Sequence, residues 1–301
     1  MPDPQSAIRN PQSGEPLFRR MTVVGAGLIG GSLGLAARQA GAVGTIIGVN
    51  RSAESRETAL RLGLVDEATE DLAAGVREAN LVVLAVPVHR IVALIPEVAR
   101  HAPESCLVTD VGSVKSPILQ AGDAAFPDGR FVAGHPIAGQ ERSGPAAARA
   151  DLFQGATWIL TPSARTRPEA VERVTALCGA AAAQVVRMDA AWHDEVFATV
   201  SHLPHLVAYA LMDAVLHMER GEERLRYSAG GLRDFTRVAG SDPDMWRDIF
   251  LMNREALLRS VTAYREAVTR LEDAIRIGDG EVLRQQLLQA RIAREELLHG
   301  S

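Results

Sequence analysis

The strongest candidate for proton transfer is the histidine of residues 132–141, which read VAGHPIAGQE. An apolar strand runs here into a loop interrupted by Gly134, Pro136 and Gly139, which end regular structure. In α/β proteins the carboxyl ends of strands open onto the crevice where ligands bind. We therefore expect His135 at the edge of a cleft, where a neutral imidazole can accept a proton. The alternative is a structural histidine that is hydrogen-bonded within a turn.

A glycine-rich motif points to a second kind of chemistry. Gly25, Gly27 and Gly30 fill the three positions of GxGxxG between a predicted strand and a predicted helix. In that setting the glycines allow a tight turn, let a pyrophosphate approach the backbone and let helix and strand pack closely. The motif predicts dinucleotide binding, against the alternative of a tight strand-to-helix turn without a ligand. The residues expected to line the pyrophosphate are Gly25, Gly27, Leu28, Ile29 and Gly30.

The type of dinucleotide depends on the end of the next strand. An acidic residue about 20 positions beyond the glycines binds the adenosine ribose of NAD, but Asn50 and Arg51 occupy that place. An amide does not repel a 2′-phosphate, and an arginine can pair with one, so the sequence favours NADP over NAD. Arg51 can also be merely solvated. Val86 and Pro87, at the end of a later strand, should contact the cofactor as well.

Arginines cluster in the second half of the chain. Three arginines lie close together in the sequence, which is unusual for a protein of net negative charge: Arg233, Arg237 and Arg247. Each alone is typical of a surface ion pair, but as a group beside a nucleotide domain they indicate an anionic substrate. Residues 201–205 (SHLPH) are also polar within a helical pattern, where Pro204 predicts a kink.

The elements that must position these residues follow from hydrophobic periodicity. Strands are predicted at 21–25, 45–49, 81–86, 107–111, 131–135, 157–161 and 184–187, alternating with helices. This pattern predicts an α/β, Rossmann-like doubly wound parallel sheet of seven strands. Helical periodicity at 190–218, 246–277 and 282–298 predicts an all-α domain to follow. We therefore predict a mobile tail at 1–16, a dinucleotide-binding domain at 17–188 and a helical substrate and dimerisation domain at 189–301. The apolar faces of the last helices exceed the needs of one small bundle, which indicates a homodimer.

Composition excludes several classes of protein. A net charge of -5 argues against nucleic acid or an anionic membrane as a partner. Cys106 and Cys178 lack metal-ligand or redox spacing, so we expect no metal and a reducing compartment. No apolar run is long enough to span a membrane, and the first twenty residues do not resemble a signal peptide. A cytoplasmic protein is expected.

Five motifs taken together resemble the prephenate dehydrogenase family of tyrosine biosynthesis. They are GAGLIGGS at 25–32, DVGSVK at 110–115, GHPIAG at 134–139, SHLPH at 201–205 and DFTR at 234–237. The resemblance implies a nucleotide domain followed by a helical dimerisation domain. It also implies oxidative decarboxylation of prephenate to 4-hydroxyphenylpyruvate, or of arogenate to tyrosine.

The resemblance also implies roles for single residues. His135 would be the catalytic acceptor of a hydrogen bond or proton from the substrate hydroxyl, and Ser113 would bond the same hydroxyl. Arg237 would pair with a substrate carboxylate, His205 would contribute to substrate binding, and Glu141 would act at the mouth of the pocket.

Two departures leave specificity open. Many relatives carry an aspartate where Asn50 stands. Gln140 is not acidic, so no carboxylate beside His135 selects the ammonium group of arogenate, which favours prephenate while dual use stays open. More distant alternatives are another NAD(P)-dependent hydroxyacid dehydrogenase and a non-catalytic dinucleotide sensor. The first normally needs a lysine in its second domain, but Lys115 is the only lysine of the chain.

Overall fold

Short runs of valine, isoleucine and leucine build the central sheet. The computed structural model describes residues 15–140 and 142–299, so most of the predicted tail and Glu141 lie outside the described residues. Six parallel strands pair in the order β3-β2-β1-β4-β5-β6. Their bounds are β1 Phe18–Val24, β2 Val43–Val49, β3 Glu67–Thr69, β4 Leu81–Leu84, β5 Leu107–Asp110 and β6 Phe131–Val132. All residues of β4 and β5 are buried, as expected for a parallel sheet that is covered on both faces.

Helices cover both faces of this sheet, which confirms the doubly wound prediction. They are α1 Leu28–Gln39, α2 Ala53–Arg61, α3 Leu72–Val76, α4 Val88–His101, α5 Ser116–Ala125 and α6 Pro168–Ala180. One buried cluster includes Leu33 of α1 and Val174 of α6. A second includes Ile91 of α4 and Ile118 of α5 on the opposite face. Because parallel strands end at one edge, the loops after β1, β4, β5 and β6 share one rim.

The prediction of a single seven-stranded sheet is wrong. Three strands, β7 Gly134–Pro136, β8 Thr157–Leu160 and β9 Gln184–Arg187, form a separate sheet in which β7 runs antiparallel to β8. The predicted strand 131–135 breaks at Ala133, because the backbone N–H of Gly134 donates to the Asp110 carboxylate at 3.1 Å instead of continuing the ladder. The short strand β3 carries too few apolar residues to be predicted from the sequence.

Beyond β9 the chain is helical, as predicted. The helices are α7 Ala190–Phe197, α8 Leu203–His217, α9 Gly221–Leu225, α10 Gly230–Thr236 and α11 Pro243–Met252. Pro204 lies in the first turn of α8, and the irregularity that we expected there is a π-helical turn, Ala198–His202, between α7 and α8. Asp242 is the N-cap of α11, because its Oδ1 accepts from the Met245 N–H at 3.0 Å.

The chain divides into two compact units, the first ending at Asn253 and the second beginning at Arg254. The second unit contains α12 Arg254–Ile277 and α13 Gly280–His299. Large apolar side chains on α12 are exposed, with Leu258 at 57%, Val268 at 43% and Ile275 at 66%. The boundary predicted at 188/189 falls between β9 and α7, within the first unit, and stays a prediction. Within the described part of the chain, no helix is long and apolar enough to cross a membrane.

The third glycine of the motif generates a stability prediction. A Cβ at Gly30 would lie 2.4 Å from the Gly25 carbonyl oxygen and 2.6 Å from Val23 Cγ1. We expect Gly30→Ala to destabilise the protein by about 1 to 3 kcal/mol through overpacking. The matched control is Gly179→Ala in α6, where nothing lies within 4 Å of the new Cβ, and this variant should gain about 0.4 to 1 kcal/mol. Urea unfolding of both variants measures the difference, and equal midpoints would contradict the packing argument.

Candidate active site

The glycine-rich loop lies between β1 and α1 and is shaped for an anionic ligand. Gly25 has φ +94°, and a Cβ there would lie 2.5 Å from the Ala85 carbonyl oxygen. Gly27 is the N-cap of α1, makes no side-chain capping bond and is followed by no acidic residue in the first turn. The first N–H groups of α1 and the positive end of its dipole are thus left for an anion. Loop and helix therefore fit the pyrophosphate of a dinucleotide.

The other predicted cofactor residues surround this loop. Leu28 and Ile29 form the first turn of α1 and are partly exposed. Val86 and Pro87 follow β4, whose end meets the loop at Gly25. All of these residues lie at the carboxyl edge of the sheet, where a bound dinucleotide is expected.

At the end of β2, Asn50 is part of the loop's framework. Its Oδ1 accepts from the Ala26 N–H at 3.1 Å. Arg56 donates from Nη1 to the carbonyl oxygens of Asn50 at 2.9 Å and Arg51 at 2.7 Å, and it pairs with Glu70 at 3.1 Å. The side chain of Arg51 is exposed beside this framework. The strand thus ends in an amide and a solvated cation.

A fully buried ion pair, Asp110 with Lys115, holds the loop after β5. Asp110 Oδ2 accepts from Lys115 Nζ and from the Gly112 N–H, the latter at 2.7 Å. Lys115 Nζ also donates to the Gly134 carbonyl oxygen at 2.6 Å. Burial raises the pKa of Asp110 and lowers that of Lys115, while their mutual attraction opposes both shifts. The pair fastens the loop after β5 to the residue that precedes His135.

Ser113 occupies the middle of the loop that this ion pair fixes. It lies between Gly112 and Lys115, is partly exposed, and its hydroxyl receives no hydrogen bond from any described residue. The hydroxyl is therefore available to a ligand at the sheet edge. The structure brings the loop of Ser113 and the loop of His135 together through Asp110, which bonds to the backbone of both.

His135 lies at the start of the second sheet, partly exposed and packed among aromatic rings. Its Nδ1 is 2.9 Å from His193 Nε2, and its ring meets that of Phe197 edge-on with centroids 4.9 Å apart. Loss of water around the ring, together with the nearby His193, Lys115 and His202, lowers the pKa of His135 well below 6.5. The imidazole is thus neutral near pH 7 and can accept a proton.

Behind His135 lies a buried pair, His193 and Asp194, that none of the sequence motifs contains. His193 Nδ1 is 2.9 Å from Asp194 Oδ1, and Asp194 accepts from the backbone N–H groups of Lys115 at 2.7 Å and Ser116 at 2.8 Å. Burial tends to raise the pKa of Asp194, but these hydrogen bonds outweigh it and lower the pKa below 3.8. The pKa of His193 is lowered, mainly by burial. A carboxylate and a histidine adjacent in sequence, just after the last strand, were the signal available.

A second missed pair braces this arrangement from α11. Asn253 donates from Nδ2 to the Asp194 carbonyl oxygen at 2.8 Å and lies 3.1 Å from His202 Nδ1. His202 is buried, and desolvation lowers its pKa to about 4. The π-helical turn and the end of α11 are therefore both joined to α7.

His205 and Arg237 form the predicted substrate-binding end. The His205 ring stacks on Trp246 with centroids 3.6 Å apart, and its Nδ1 lies 2.9 Å from the Ser201 carbonyl oxygen. Burial lowers the pKa of His205, and the positive charge of Arg237 lowers it further. Arg237 is exposed and begins the 3-10 turn that follows α10. The structure thus brings these two predicted residues together.

Two other predicted polar residues, Arg247 and Gln140, are bonded to groups of the protein itself. Arg247 is committed to ion pairs with Asp244 at 2.7 Å and Asp248 at 2.8 Å, so it is a structural residue. Gln140 is exposed and donates from Nε2 to the Ala147 carbonyl oxygen at 2.9 Å. Glu141 lies outside the described residues. No described group of three or more His, Cys, Asp or Glu side chains is arranged to hold a metal ion.

Comparison with known protein families finds two matching models. Residues 33–187 match the model described as prephenate dehydrogenase, nucleotide-binding domain. Residues 189–289 match the model described as prephenate dehydrogenase, dimerization domain.

Individual proteins agree with these models. The chain is 37% identical to a prephenate dehydrogenase of Bacillus subtilis, over 91% of this chain and 75% of that protein. It is 35% identical to a cyclohexadienyl dehydrogenase of Zymomonas mobilis, over 92% of this chain and 96% of that protein.

Among solved structures, a prephenate dehydrogenase of Aquifex aeolicus in complex with hydroxyphenyl propionate and NAD+ superposes with a TM-score of 0.88. It is 36% identical in sequence, and the match covers 93% of this chain and 98% of that one. The family models, the relatives and the shared fold lead to one conclusion: the chain belongs to the prephenate dehydrogenase family.

Proposed function

We propose that the protein is an NAD(P)-dependent prephenate dehydrogenase, which converts prephenate to 4-hydroxyphenylpyruvate and carbon dioxide. The observation that carries this proposal is the position of His135, whose imidazole burial keeps neutral. It directly follows Gly134, which is bonded to Asp110 at the carboxyl end of β5, and the glycine loop follows β1 at the same edge of that sheet. Arogenate, or both compounds, is the alternative substrate. A cytoplasmic location stays a prediction from the sequence.

The reaction requires two things from the active site: a group that accepts a proton, and contacts that hold the substrate ring in position. The C4 carbon of prephenate carries a hydroxyl, and the ring becomes aromatic when its carboxylate leaves as carbon dioxide. A bound NAD(P) would accept the hydride from C4. Formation of the aromatic ring makes the loss of carbon dioxide thermodynamically favourable. The protein therefore mainly orients the ring and binds the substrate carboxylates.

His135 accepts the hydrogen bond or proton of the C4 hydroxyl as the hydride leaves, and returns the proton to the phenol oxygen afterwards. No net proton is consumed. The lowered pKa of His135 keeps its ring neutral and ready for this role near pH 7. Ser113, held by the loop that Asp110 and Lys115 fix, bonds the same hydroxyl and keeps it aligned.

Arg237 and His205 bind the charged end of the substrate. Arg237 is exposed, lies close enough to His205 to lower its pKa, and carries a charge that can pair with a carboxylate. His205 is held flat against Trp246, so its ring presents a fixed edge. The family resemblance also assigns Glu141 a role at the mouth of the pocket, and this role stays a prediction from the sequence.

The finer specificities rest on two residues. We infer a preference for prephenate over arogenate, because Gln140 offers an amide where a carboxylate would attract the ammonium group of arogenate. We also infer a preference for NADP over NAD, because Asn50 carries no charge to repel a 2′-phosphate and Arg51 is exposed beside it. The Aquifex aeolicus relative is described with NAD+, so the two cofactors must be compared directly.

Initial rates of cofactor reduction at 340 nm test the function. Prephenate and arogenate are each paired with NAD and NADP, and we expect the highest kcat/KM with prephenate and NADP. The control is His135→Asn, which should lower kcat by about 10²- to 10⁴-fold. It should leave the cofactor Kd unchanged, since the hydrogen bond of the His135 side chain goes to His193 and not to the glycine loop. No turnover in any of the four pairs, from folded protein that binds dinucleotide, would contradict the function and favour a dinucleotide sensor or another dehydrogenase.

Arg237→Ala tests the carboxylate site. Loss of a charge-assisted hydrogen bond costs about 2 to 3 kcal/mol, so KM for prephenate should rise by about 30- to 150-fold while the cofactor Kd stays constant. Arg226→Ala, which removes another exposed arginine of the same region, is the matched control and should behave like the wild type. An unchanged KM in Arg237→Ala would move the carboxylate site elsewhere.

We propose further that the protein is a homodimer. The dimerization-domain model covers residues 189–289, and α12 exposes Leu258, Val268 and Ile275. Sedimentation equilibrium should give twice the chain mass of 32.2 kDa. Ile275→Glu should weaken the dimer, whereas Leu60→Glu, at an exposed apolar residue of α2, should not. A monomeric wild type at micromolar concentration would contradict the proposal.

A further inference from the structure

A chain of hydrogen bonds runs from His135 to a buried carboxylate, through a second histidine. We propose that His193 and Asp194 are positioning residues: they hold His135 in the tautomer with its proton on Nδ1 and its lone pair on Nε2. They also stabilise the positive charge that His135 acquires during turnover. The second half of this inference rests on the proposed function; the first half concerns the protein alone.

The Asp194 carboxylate determines which atom donates and which accepts in each hydrogen bond of this series. Asp194 accepts from the backbone N–H of Lys115 on Oδ1 and from the backbone N–H of Ser116 on Oδ2. Backbone N–H groups can only donate, so each oxygen accepts a hydrogen bond, and these bonds stabilise the ionised form of Asp194. Its lowered pKa agrees with this assignment. The group that faces Oδ1 at 2.9 Å, His193 Nδ1, must therefore carry a proton.

The tautomer of His135 follows from that of His193. A neutral imidazole with its proton on Nδ1 has only a lone pair on Nε2. His193 Nε2 lies 2.9 Å from His135 Nδ1, so the proton in that contact belongs to His135. The pKa of both rings is lowered, mainly by burial, so both are neutral near pH 7. His135 Nε2 then carries a lone pair and has no partner among the described residues.

One residue, Lys115, holds both ends of this series of hydrogen bonds in place. Lys115 donates its backbone N–H to Asp194 and its Nζ to the carbonyl oxygen of Gly134. The ring of His193 is fully buried and stacks on Phe197 with centroids 4.5 Å apart. Neither histidine can therefore turn without breaking packing, and Nε2 of His135 keeps its direction.

The same contacts can relieve charge during the reaction. When His135 Nε2 takes the proton of the substrate hydroxyl, an O–H bond breaks and an N–H bond forms. The Nδ1 proton of His135 can then move to His193 Nε2, which leaves His135 neutral and places the positive charge beside the Asp194 carboxylate. The reverse transfers return the proton, so no other reactant is consumed. A carboxylate that orients and stabilises an imidazole in this way is well known from the serine-protease triad.

The tautomers can be measured without any substrate. Protein labelled with ¹⁵N-histidine gives long-range ¹H–¹⁵N correlations that distinguish a protonated Nδ1 from a protonated Nε2, and His135→Asn identifies the signals of His135. We expect protonated Nδ1 on both His135 and His193 at pH 7.5. A proton on Nε2 of His135 would overturn the inference, whatever reaction the protein catalyses.

Two variants of His193 test the effect on catalysis. His193→Phe keeps a ring for stacking but removes the acceptor, so kcat should fall by about ten-fold or more, short of the roughly 10⁴-fold loss for a triad aspartate. KM and the cofactor Kd should change less than two-fold. His193→Gln restores an acceptor where Nε2 lay and should recover most of kcat. Trp192→Phe, at the exposed neighbouring position of α7, is the control and should not change kcat.

The outcomes separate this inference from the proposed function. A wild-type protein without turnover would overturn the function, while the tautomer measurement would still decide the positioning role. An active wild type whose kcat is matched by folded His193→Phe, or a His193→Gln variant no better than His193→Phe, would overturn the positioning role and leave the function standing.

Discussion

The carboxylate of Asp110 is the interaction on which the rest of the site depends. It is fully buried, it ends β5, and its two oxygens bond to the loops after β5 and β6 as well as to Lys115. Removal of one partner from a buried ion pair lowers the stability of the folded protein by about 3 to 5 kcal/mol. Substitution of either Asp110 or Lys115 alone is therefore strongly destabilising. Because Lys115 in turn holds Asp194 and Gly134, the ion pair sets the positions of both ends of the histidine chain.

The break in the central sheet is part of the same arrangement. Had the strand after β5 continued, His135 would have alternated with its neighbours across the two faces of one sheet. The Asp110 side chain captures the Gly134 N–H instead, and His135 and Pro136 pair with Ile159 and Trp158 in the second sheet. This turn directs the imidazole towards α7, where His193 and Phe197 receive it.

Local sequence patterns predicted the parts of the site that depend on local physics. The glycine loop and the position of His135 at a strand end each follow from neighbouring residues. The two-sheet division could not be predicted, because it depends on a side chain 24 positions before Gly134. The pairing of His135 with His193 spans 58 positions and arises only when α7 packs over the loop. Periodicity describes the faces of helices and strands, but it carries no information about which polar groups meet across such distances.

The number of residues in the π-helical turn between α7 and α8 determines how the two parts of the active site on either side of the turn are oriented. Such a turn holds one residue more than the surrounding α-helix needs, and each residue of an α-helix rotates the chain by about 100°. The extra residue therefore fixes the angle between His193, before the turn, and His205, after it. Shortening the turn by one residue would leave every side chain chemically intact and yet point the proton-accepting and carboxylate-binding ends in different directions. Residues 198–202 thus encode geometry through their number, in addition to the contact that His202 makes with Asn253.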